Sequence, residues 1–469
     1  MRRFLIRSMH ILLPLTLLAT AATLRIYEPR WLAEFQVIWF DILNVENPRP
    51  YNPESGVRIV DIDDESLERL GQWPWPRTRL AELIYRLREA GAAVVVFDIV
   101  FSEPDRTSPR NIVENWTHAP EYASLRDQAI GLPDHDEMFA AYISELKGIV
   151  TGFALTAGKA PRIPVQRGNF AFSGDDPTQF LPALPGAVAN LAAFEKAAAG
   201  NGNFNVLPET DGLIRRVPLV AGFQLDEKAG GGIRLYPMIS VEALRVAQGA
   251  KTMIIKSSGG SGETGFGEKT GVVSLKIGRI EVPTDNQGRV WVHYAGSQAA
   301  RYVPIWKILD DSFDRSLIEN HIVLVGASAA GLLDLRSTPL DQVLPGVEVH
   351  AELIEQILEG DFLNRPDWAM GAELAYLTGL GLILILLLPR LGAVWCAIIG
   401  GVAVVAVFGG SWYGYTEKQI LLDPVYPSVA VLGIYLSASL ISYIRTEGER
   451  KQVRGAFAQY LSPALVEQL

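Results

Sequence analysis

The sequence predicts a mixed α/β domain combined with four transmembrane helices. Of its 469 residues, 49% are hydrophobic, which is unusual for a soluble protein of this length. Four apolar segments each approach the ~20 residues that a helix needs to cross a bilayer. Between the first and second of these segments, short apolar strands alternate with amphipathic helices.

The apolar segments lie near both ends of the chain, at residues 11–24, 372–388, 392–411 and 425–444. The last three are almost free of charge and have short connections, which disfavours buried core helices. The first segment has a basic start and the tripeptide Ala19–Ala21, so it fits either a retained helix or a cleaved signal peptide. Both alternatives place the following residues outside the cell.

Positive charge predicts the orientation of the segments. With four crossings, the basic residues that flank them fall on one side, which the positive-inside rule makes cytoplasmic. These residues are Arg2, Arg3, Arg7, Arg390, Arg445, Arg450, Lys451 and Arg454. We therefore expect a multi-pass protein of a bacterial plasma membrane, with both termini cytoplasmic and residues 26–368 outside.

The predicted organisation has four parts: a first transmembrane helix (1–25), an outer domain (26–368), three transmembrane helices (369–445) and a cytoplasmic linker helix (446–469). The whole chain has a net charge of −10, and removing the cytoplasmic basic residues leaves the outer part more acidic still. This argues against nucleic acid as a partner. The single cysteine, Cys396, lies in a membrane segment, so no disulfide is expected outside.

The outer domain reads as strands and helices in alternation. We expect a strand at 57–63, a helix at 76–91 and a buried strand at 92–101, with strands 57–63 and 92–101 parallel. Further expected elements are strands at 148–155 and 321–328, a strand pair around a turn at 211–212, antiparallel strands at 272–283 and 289–296, a helix at 346–360 and a mobile glycine-rich segment at 257–271.

Carboxylates gather where two strands end. Asp61, Asp63 and Asp64 close the first strand, and Asp98 closes the next. Ligands of parallel sheets bind beyond the carboxyl ends of strands, so these groups could bind a ligand or hold a divalent cation, with Asp61, Asp63 and Asp98 as its ligands. The alternative is that they cap the following helices and turns.

The segment "GQWPWPR" offers a second candidate. Trp73 and Trp75 lie between prolines and are followed by Arg77, a combination suited to the rim of a recognition pocket. The alternative is that these side chains pack across the sheet and position the next helix. His350 falls on the apolar side of its helix, where a buried, hydrogen-bonded core histidine is the expectation.

Catalytic motifs are not found in the sequence: there is no serine–histidine–acid set, cysteine nucleophile, HExxH motif or nucleotide loop. The chain itself therefore predicts no enzyme and no cofactor, apart from a divalent cation in the outer domain. A rival hypothesis is a membrane-anchored, metal-dependent enzyme outside the cell that uses Asp61, Asp63 and Asp98.

Four segments together resemble the cyclase/histidine-kinase-associated sensory extracellular domain, type two (CHASE2). They are "IVDIDDESLERLGQWPWPR", "AAVVVFDIVFSEPD", "NVLPETDGLIRRVPL" and "HIVLVGASAAGLLDLRSTPLDQVLPGVEVHAELIEQIL". The resemblance implies an outward-facing sensor between one helix and three further helices. It supplies no binding residues, so the extracytoplasmic ligand stays unknown.

The ending "FAQYLSPALVEQL" resembles the lead-in of class III adenylate or guanylate cyclases, whose catalytic core is absent here. The resemblance implies a receptor nucleotidyl cyclase (a phosphorus–oxygen lyase) of cyclic AMP signalling, acting as a homodimer. Val453, Phe457 and Tyr460 have the spacing of a short dimer seam. A ligand or ion outside would rearrange the helices and so regulate catalysis.

Overall fold

The computed structural model describes residues 2–114, 120–158, 162–226, 230–259, 271–332 and 334–457. The chain divides into two compact units. We call Asn44–Asn364 the α/β unit, and Met1–Leu43 with Arg365–Leu469 the helical unit. The mixed α/β class predicted from the sequence is confirmed.

The described helices alternate with many short strands. The helices are α1 (Arg2–Tyr27), α2 (Arg30–Glu46), α3 (Asp64–Leu70), α4 (Arg77–Glu89), α5 (Pro109–Glu114), α6 (Ala123–Ile130), α7 (His135–Leu146), α8 (Ala192–Ala197), α9 (Ile239–Ala247), α10 (Ile305–Leu309), α11 (Gly346–Glu359), α12 (Trp368–Lys418) and α13 (Val425–Phe457). The strands are β1 (Val57–Ile62), β2 (Val94–Phe97), β3 (Ile149–Thr156), β4 (Asn169–Ser173), β5 (Ala183–Leu184), β6 (Gly186–Val188), β7 (Gly200–Asn203), β8 (Arg216–Pro218), β9 (Val220–Gln224), β10 (Ile233–Pro237), β11 (Thr252–Ser257), β12 (Val272–Ile277), β13 (Ile280–Pro283), β14 (Arg289–Trp291), β15 (Tyr302–Pro304), β16 (Ile322–Ala327), β17 (Leu335–Arg336) and β18 (Leu344–Pro345).

A seven-stranded sheet forms the centre of the α/β unit, in the order β15-β1-β16-β2-β3-β6, with β7 also paired to β3. All pairs are parallel except β3 with β6. The predicted strands β1 and β2 are therefore parallel in one sheet, but β16 lies between them. Because β16 comes more than 200 residues after β2, no local pattern reveals this insertion.

Both faces of this sheet are covered, because successive side chains of a strand point to opposite faces. Ile59 of β1 and Val96 of β2 belong to the core that includes α9 and α11. Val60 and Phe97, their neighbours in sequence, belong to the core that includes α4 and α7. Continuous apolar strands buried on both faces were the prediction, and the structure confirms it.

The prediction of a strand pair around residues 211–212 is wrong. The turn exists, since the Gly212 amide donates to the Glu209 carbonyl at 2.9 Å. However, β8 pairs with β14, and β9 pairs with β10 and β5. Tertiary partners override the local hairpin pattern here. The segment predicted as a strand at 272–283 forms the antiparallel pair β12–β13, and β14, in the segment predicted at 289–296, pairs antiparallel with β8 instead of with them. Most of the glycine-rich segment, residues 260–270, lies outside the described residues.

In the helical unit, two of the described helices are long and apolar enough to cross a membrane, Trp368–Lys418 and Val425–Gly448. A third span is counted if Ile11–Tyr27 and Trp31–Glu46, which meet at a bend of 77°, are taken as one. The structure thus does not separate four spans clearly, since the second and third predicted segments fall in one helix, α12. Gly392 interrupts α12 with a non-helical φ of 77° and ψ of 171°.

A buried ion-pair hub joins helices of this unit. Glu373 of α12 accepts hydrogen bonds from Arg25 of α1 and from Arg365, whose Nη1 and Nη2 lie 2.9 and 3.0 Å away. The Asp423 amide also donates to Glu373, at 2.8 Å. In the sequence, Glu373 is an isolated charge at the end of a membrane segment. Its ion-pair partners cannot be recognised there, because other parts of the chain supply them.

Candidate functional site

A cavity of about 350 Å³ opens at the carboxyl edge of the main sheet. The ends of three adjacent parallel strands contribute to its wall: Ile62 of β1, Ala327 of β16 and Asp98 after β2. The wall also includes Trp73, Phe204, Val206, Leu332, Asp334, Arg336, Gly346 and His350. We call this space the His350 cavity. Ligands of parallel sheets bind at this edge, where strand ends meet helix starts.

Asp98 extends the apolar strand β2 directly into the cavity. Its backbone amide donates to the Val325 carbonyl at 2.9 Å, which aligns the end of β2 with β16. No described residue donates a hydrogen bond to its carboxylate. Burial raises the pKa of Asp98 to about 7; nearby Asp334 also raises it, and Arg336 lowers it. Near neutral pH this carboxyl group therefore changes its charge readily.

Asp334 and Arg336 form an ion pair in the cavity wall, with Arg336 Nη2 2.7 Å from Asp334 Oδ1. Gly346, the first residue of α11, makes room for this pair. A Cβ atom added at Gly346 would lie 2.2 Å from Asp334 Oδ2, and the Gly346 amide donates to the Asp334 carbonyl at 2.8 Å. Asp334 is thereby held against the start of α11.

His350, one turn further along α11, is 2% exposed. Its Nε2 lies 3.2 Å from the Phe204 carbonyl oxygen, whereas its Nδ1 is buried without a partner among the described residues. Burial lowers the pKa of His350 to about 4, so the ring is neutral at physiological pH. The predicted core histidine is thus buried as expected, but only one of its two ring nitrogens is hydrogen-bonded.

The three aspartates predicted at the end of β1 have structural partners or point to solvent. Asp61 accepts from the Ser328 amide at 2.9 Å and from its hydroxyl at 2.5 Å, which joins β1 to the end of β16. Burial raises the pKa of Asp61 to about 6. Asp63 caps α3, accepting from the Ser66 amide at 2.8 Å, and Asp64 is exposed in the first turn of α3.

A smaller cavity of about 190 Å³ lies beside Trp73, Trp75 and Arg77. Trp75 is 2% exposed and donates from Nε1 to the Gly71 carbonyl at 2.7 Å. The Arg77 amide donates to Asp105 at 2.7 Å, and its guanidinium stacks 4.6 Å from the Phe101 ring centroid. Burial lowers the pKa of Arg77 although Asp136 and Asp105 oppose this. Trp75 and Arg77 therefore position α4, and of these three only Trp73 also lines the His350 cavity.

Metal binding finds no geometric support in the described part of the chain, where no three His, Cys, Asp or Glu side chains are grouped to hold an ion. Of the predicted ligands, only Asp98 lines the His350 cavity, while Asp61 and Asp63 are engaged by Ser328 and Ser66. A divalent cation at Asp61, Asp63 and Asp98 stays a prediction.

A buried ionic network occupies the side of α11 that faces away from the cavity. Glu348, Glu352 and Glu355 are fully buried, and they follow each other at the four- and three-residue spacing of one helix face. Arg301, also fully buried, contacts them at 2.8, 3.0 and 2.8 Å, respectively. Arg49 contacts Glu352 at 2.6 Å and Glu355 at 2.8 Å.

This network has unusual electrostatics for a protein core. Burial by itself would lower the pKa of Arg301, but Glu355, Glu352 and Glu348 raise it above its usual value. Burial raises the pKa of Glu352, which the two arginines oppose. The charges are therefore stable only together, because a single buried charge without its partners is strongly unfavourable.

Sequence reasoning did not select Asp334, Arg336, Phe204 or the arginine–glutamate network. A signal for the network was present, since four glutamates repeat on one face of an otherwise apolar helix, ending with Glu359. Asp334, Arg336 and Phe204 gave no such signal, because they come from separate segments of the chain that only the fold brings together.

An α/β unit with a cavity at the edge of its sheet, in a chain that also carries membrane-length helices, is the organisation of a membrane-bound sensory protein. A family model, the CHASE2 domain, matches residues 15–388. The match covers well over half of the chain, so the chain belongs to the CHASE2 domain family, a family of sensory domains. No curated protein and no solved structure matches it.

Proposed function

We propose that this chain is the sensing and transmitting part of a membrane-bound receptor that regulates a class III nucleotidyl cyclase domain, with cyclic AMP as the product. The observation that carries the proposal is the His350 cavity. It lies in the CHASE2 domain, and its wall includes the half-buried Asp98, whose carboxylate accepts no hydrogen bond from a described residue. Such groups favour binding of a ligand that supplies the missing contacts.

The membrane part of the proposal is a chain that crosses four times, with residues 26–368 outside. The length of α12 and a close approach within it support two crossings in this helix. A straight helix of 51 residues would be about 76 Å long, more than twice the ~30 Å hydrocarbon layer. Leu384 lies 3.8 Å from the position of a Cβ atom on Gly400, although a straight helix would separate them by about 24 Å. The chain therefore turns back near Gly392.

Transmission depends on a ligand that binds two arrangements of the receptor with different affinity. Helix α11 is suited to respond, since it carries cavity residues on one side and the buried ionic network on the other. The output would pass through α13 and a homodimeric seam. Val453 and Phe457 belong to α13, their side chains are not among those described, and Tyr460 lies outside the described residues.

The proposal is tested by joining the chain at Leu469 to a class III cyclase catalytic core and measuring cyclic AMP in membrane vesicles. Ala327→Phe fills part of the His350 cavity and should change the output severalfold in either direction. Ala171→Phe is the matched control, because Ala171 is exposed on β4, away from the cavity, and should leave the output unchanged.

Equal cyclic AMP output from Ala327→Phe and the parent fusion would contradict ligand sensing through this cavity. The rival hypothesis, a metal-dependent enzyme, makes a different prediction. It requires turnover of a phosphoester by the chain itself, dependent on added divalent cation and lost in Asp63→Asn and Asp98→Asn.

A further inference from the structure

The two unpartnered groups in the His350 cavity are both hydrogen-bond acceptors. A carbonyl oxygen only accepts, so the contact between His350 Nε2 and the Phe204 carbonyl places the ring proton on Nε2. The neutral ring then carries a bare lone pair on Nδ1, buried and without a described partner. This atom is closed to solvent, so a ligand in the cavity meets a neutral ring and does not bond to Nδ1.

Asp98 is the second acceptor, and the protein offers it no donor among the described residues. The nearest cation in the wall, Arg336, is engaged by Asp334 at 2.7 Å. With Asp98 ionised, the wall carries two carboxylates, one guanidinium and a neutral imidazole, a net charge of minus one. The cavity therefore attracts a positively charged donor and repels an anion.

The rest of the wall is apolar and partly aromatic. Trp73 and Phe204 supply ring faces, which attract cations, and Ile62, Val206 and Leu332 supply aliphatic surface. A bare metal ion would leave this surface without contacts, and no metal-type grouping exists among the described side chains. A cavity of about 350 Å³ instead suits a small organic molecule.

We propose that the His350 cavity binds a small organic ammonium cation, whose N–H groups donate to the Asp98 carboxylate while its hydrocarbon part packs against Trp73 and Phe204. This deepens the proposed sensing function and rests on it. Binding requires ionised Asp98, so a proton leaves that carboxyl group to solvent whenever the group was protonated in the empty protein.

The proton release predicts how affinity depends on pH. The charged groups that face Asp98 are Asp334 and Arg336, and the neutral His350 completes the polar part of the wall. With the pKa of Asp98 at about 7, the ionised fraction falls about tenfold between pH 8 and pH 6. A primary amine stays protonated throughout this range. Its dissociation constant should therefore rise about tenfold on acidification.

The test is isothermal titration calorimetry on the full chain in lipid nanodiscs. The probes are 2-phenylethylammonium, n-hexylammonium and 1,4-diaminobutane, compared with neutral 2-phenylethanol and anionic phenylacetate. We expect at least one amine to bind once per chain at pH 8, about tenfold or more weakly at pH 6, and at least tenfold more weakly in Asp98→Asn. Glu68→Gln removes a charge from an exposed position outside the cavity and should bind as the parent does.

Several outcomes would overturn the ligand class. They are binding of 2-phenylethanol or phenylacetate as tight as that of the amine, an affinity independent of both pH and Asp98, or no binding of any amine at millimolar concentration. If Asp98→Asn does not fold, the pH series on the unmodified chain tests whether binding requires ionised Asp98. Failure of the sensing function is distinct: an amine would bind as expected but leave the cyclic AMP output of the fusion unchanged.

Discussion

Burial shifts the pKa of both Asp98 and His350 in the direction that favours the electrically neutral form, although one is an acid and the other a base. Burial raises the pKa of Asp98 to about 7 and lowers that of His350 to about 4. Neither side chain has a full set of hydrogen-bond partners among the described residues of the protein. Titratable groups with shifted pKa values and incomplete hydrogen bonding at the edge of a sheet are characteristic of functional sites.

The first prediction concerns the pH dependence of stability. Between about pH 4 and pH 7, folded Asp98 keeps a proton that the unfolded chain has lost, since its ordinary pKa is 3.8. The free energy of unfolding therefore falls as pH rises through this window. Asp98→Asn removes this fall in the free energy of unfolding. The variant should therefore become more stable relative to the parent as pH rises from 5 to 8. Denaturant titration of the full chain measures the difference.

His350 produces the opposite trend, because its neutral ring loses stability as pH falls from 6.5 towards 4. The comparison must therefore be the difference between variant and parent at each pH. Asp64→Asn, an exposed position, is the control with no expected change in slope. A variant-minus-parent difference that is flat with pH for Asp98→Asn would show that the carboxyl group is ionised normally.

The second prediction concerns Arg301 in the buried network. Arg301→Ala leaves Glu348 without its arginine, and Glu352 and Glu355 with Arg49 alone, so it should lower the free energy of unfolding by about 3–5 kcal/mol. Thermal and denaturant unfolding of the full chain would measure the loss. Arg315→Ala is the control, since Arg315 is 52% exposed and should change stability by less than about 0.5 kcal/mol. A loss for Arg301→Ala no larger than for this control would contradict the interpretation of the network.

At the scale of elements, α11 joins the cavity to the buried network. Gly346 and His350 lie one turn apart and line the cavity, whereas Glu348 and Glu352 point to the other side of the helix. Arg49, which comes directly after α2 in the chain, contacts that other side. A small movement of α11 would thus change the contacts of Arg49, a residue close in sequence to the helical unit.

The third prediction concerns the turn within α12. In a Cys396→Ser background, Leu384→Cys combined with Gly400→Cys should be joined by a short bifunctional thiol reagent, because the two positions are in contact. Peptide mass spectrometry after proteolysis would detect the link. Leu384→Cys with Val405→Cys is the control, as Val405 is 73% exposed. If both pairs react equally slowly, α12 does not reverse at Gly392.

At the scale of the whole molecule, the chain contains a folded α/β unit with its own double-faced core and a helical unit with a separate core around Leu377 and Leu384. The two cores have no residue in common. In the proposed receptor, a signal that begins in the cavity would travel through the chain segments that connect the two units.

The fourth prediction concerns the side of the membrane on which each unit lies. In the Cys396→Ser background, Glu68→Cys should react with a membrane-impermeant maleimide on intact cells, whereas Arg450→Cys should react only after permeabilisation. Both positions are exposed, so a difference reports the compartment. Labelling of both residues on intact cells would refute the four-crossing topology.

The sequence by itself determined the α/β class, the apolar membrane segments and the strands β1, β2 and β16. These features are written in local periodicity and composition, which depend on neighbours a few residues apart. The family came from the resemblance of four segments to the CHASE2 domain. The sequence also led to Asp98, because strand ends are recognisable from the chain, and to Trp73, which lies between prolines. It could not separate those two from Asp61, Asp63 and Arg77, whose partners Ser328, Ser66 and Asp105 satisfy them.

Only the tertiary structure decided that β16 lies between β1 and β2, and that Asp334, Arg336 and His350 share one cavity with Asp98. It alone paired Arg49 and Arg301 with the glutamates of α11, and left Nδ1 of His350 without a partner. The reason is physical: burial, hydrogen bonding and charge depend on atoms brought close in space, and here those atoms belong to residues up to about 300 positions apart in the chain.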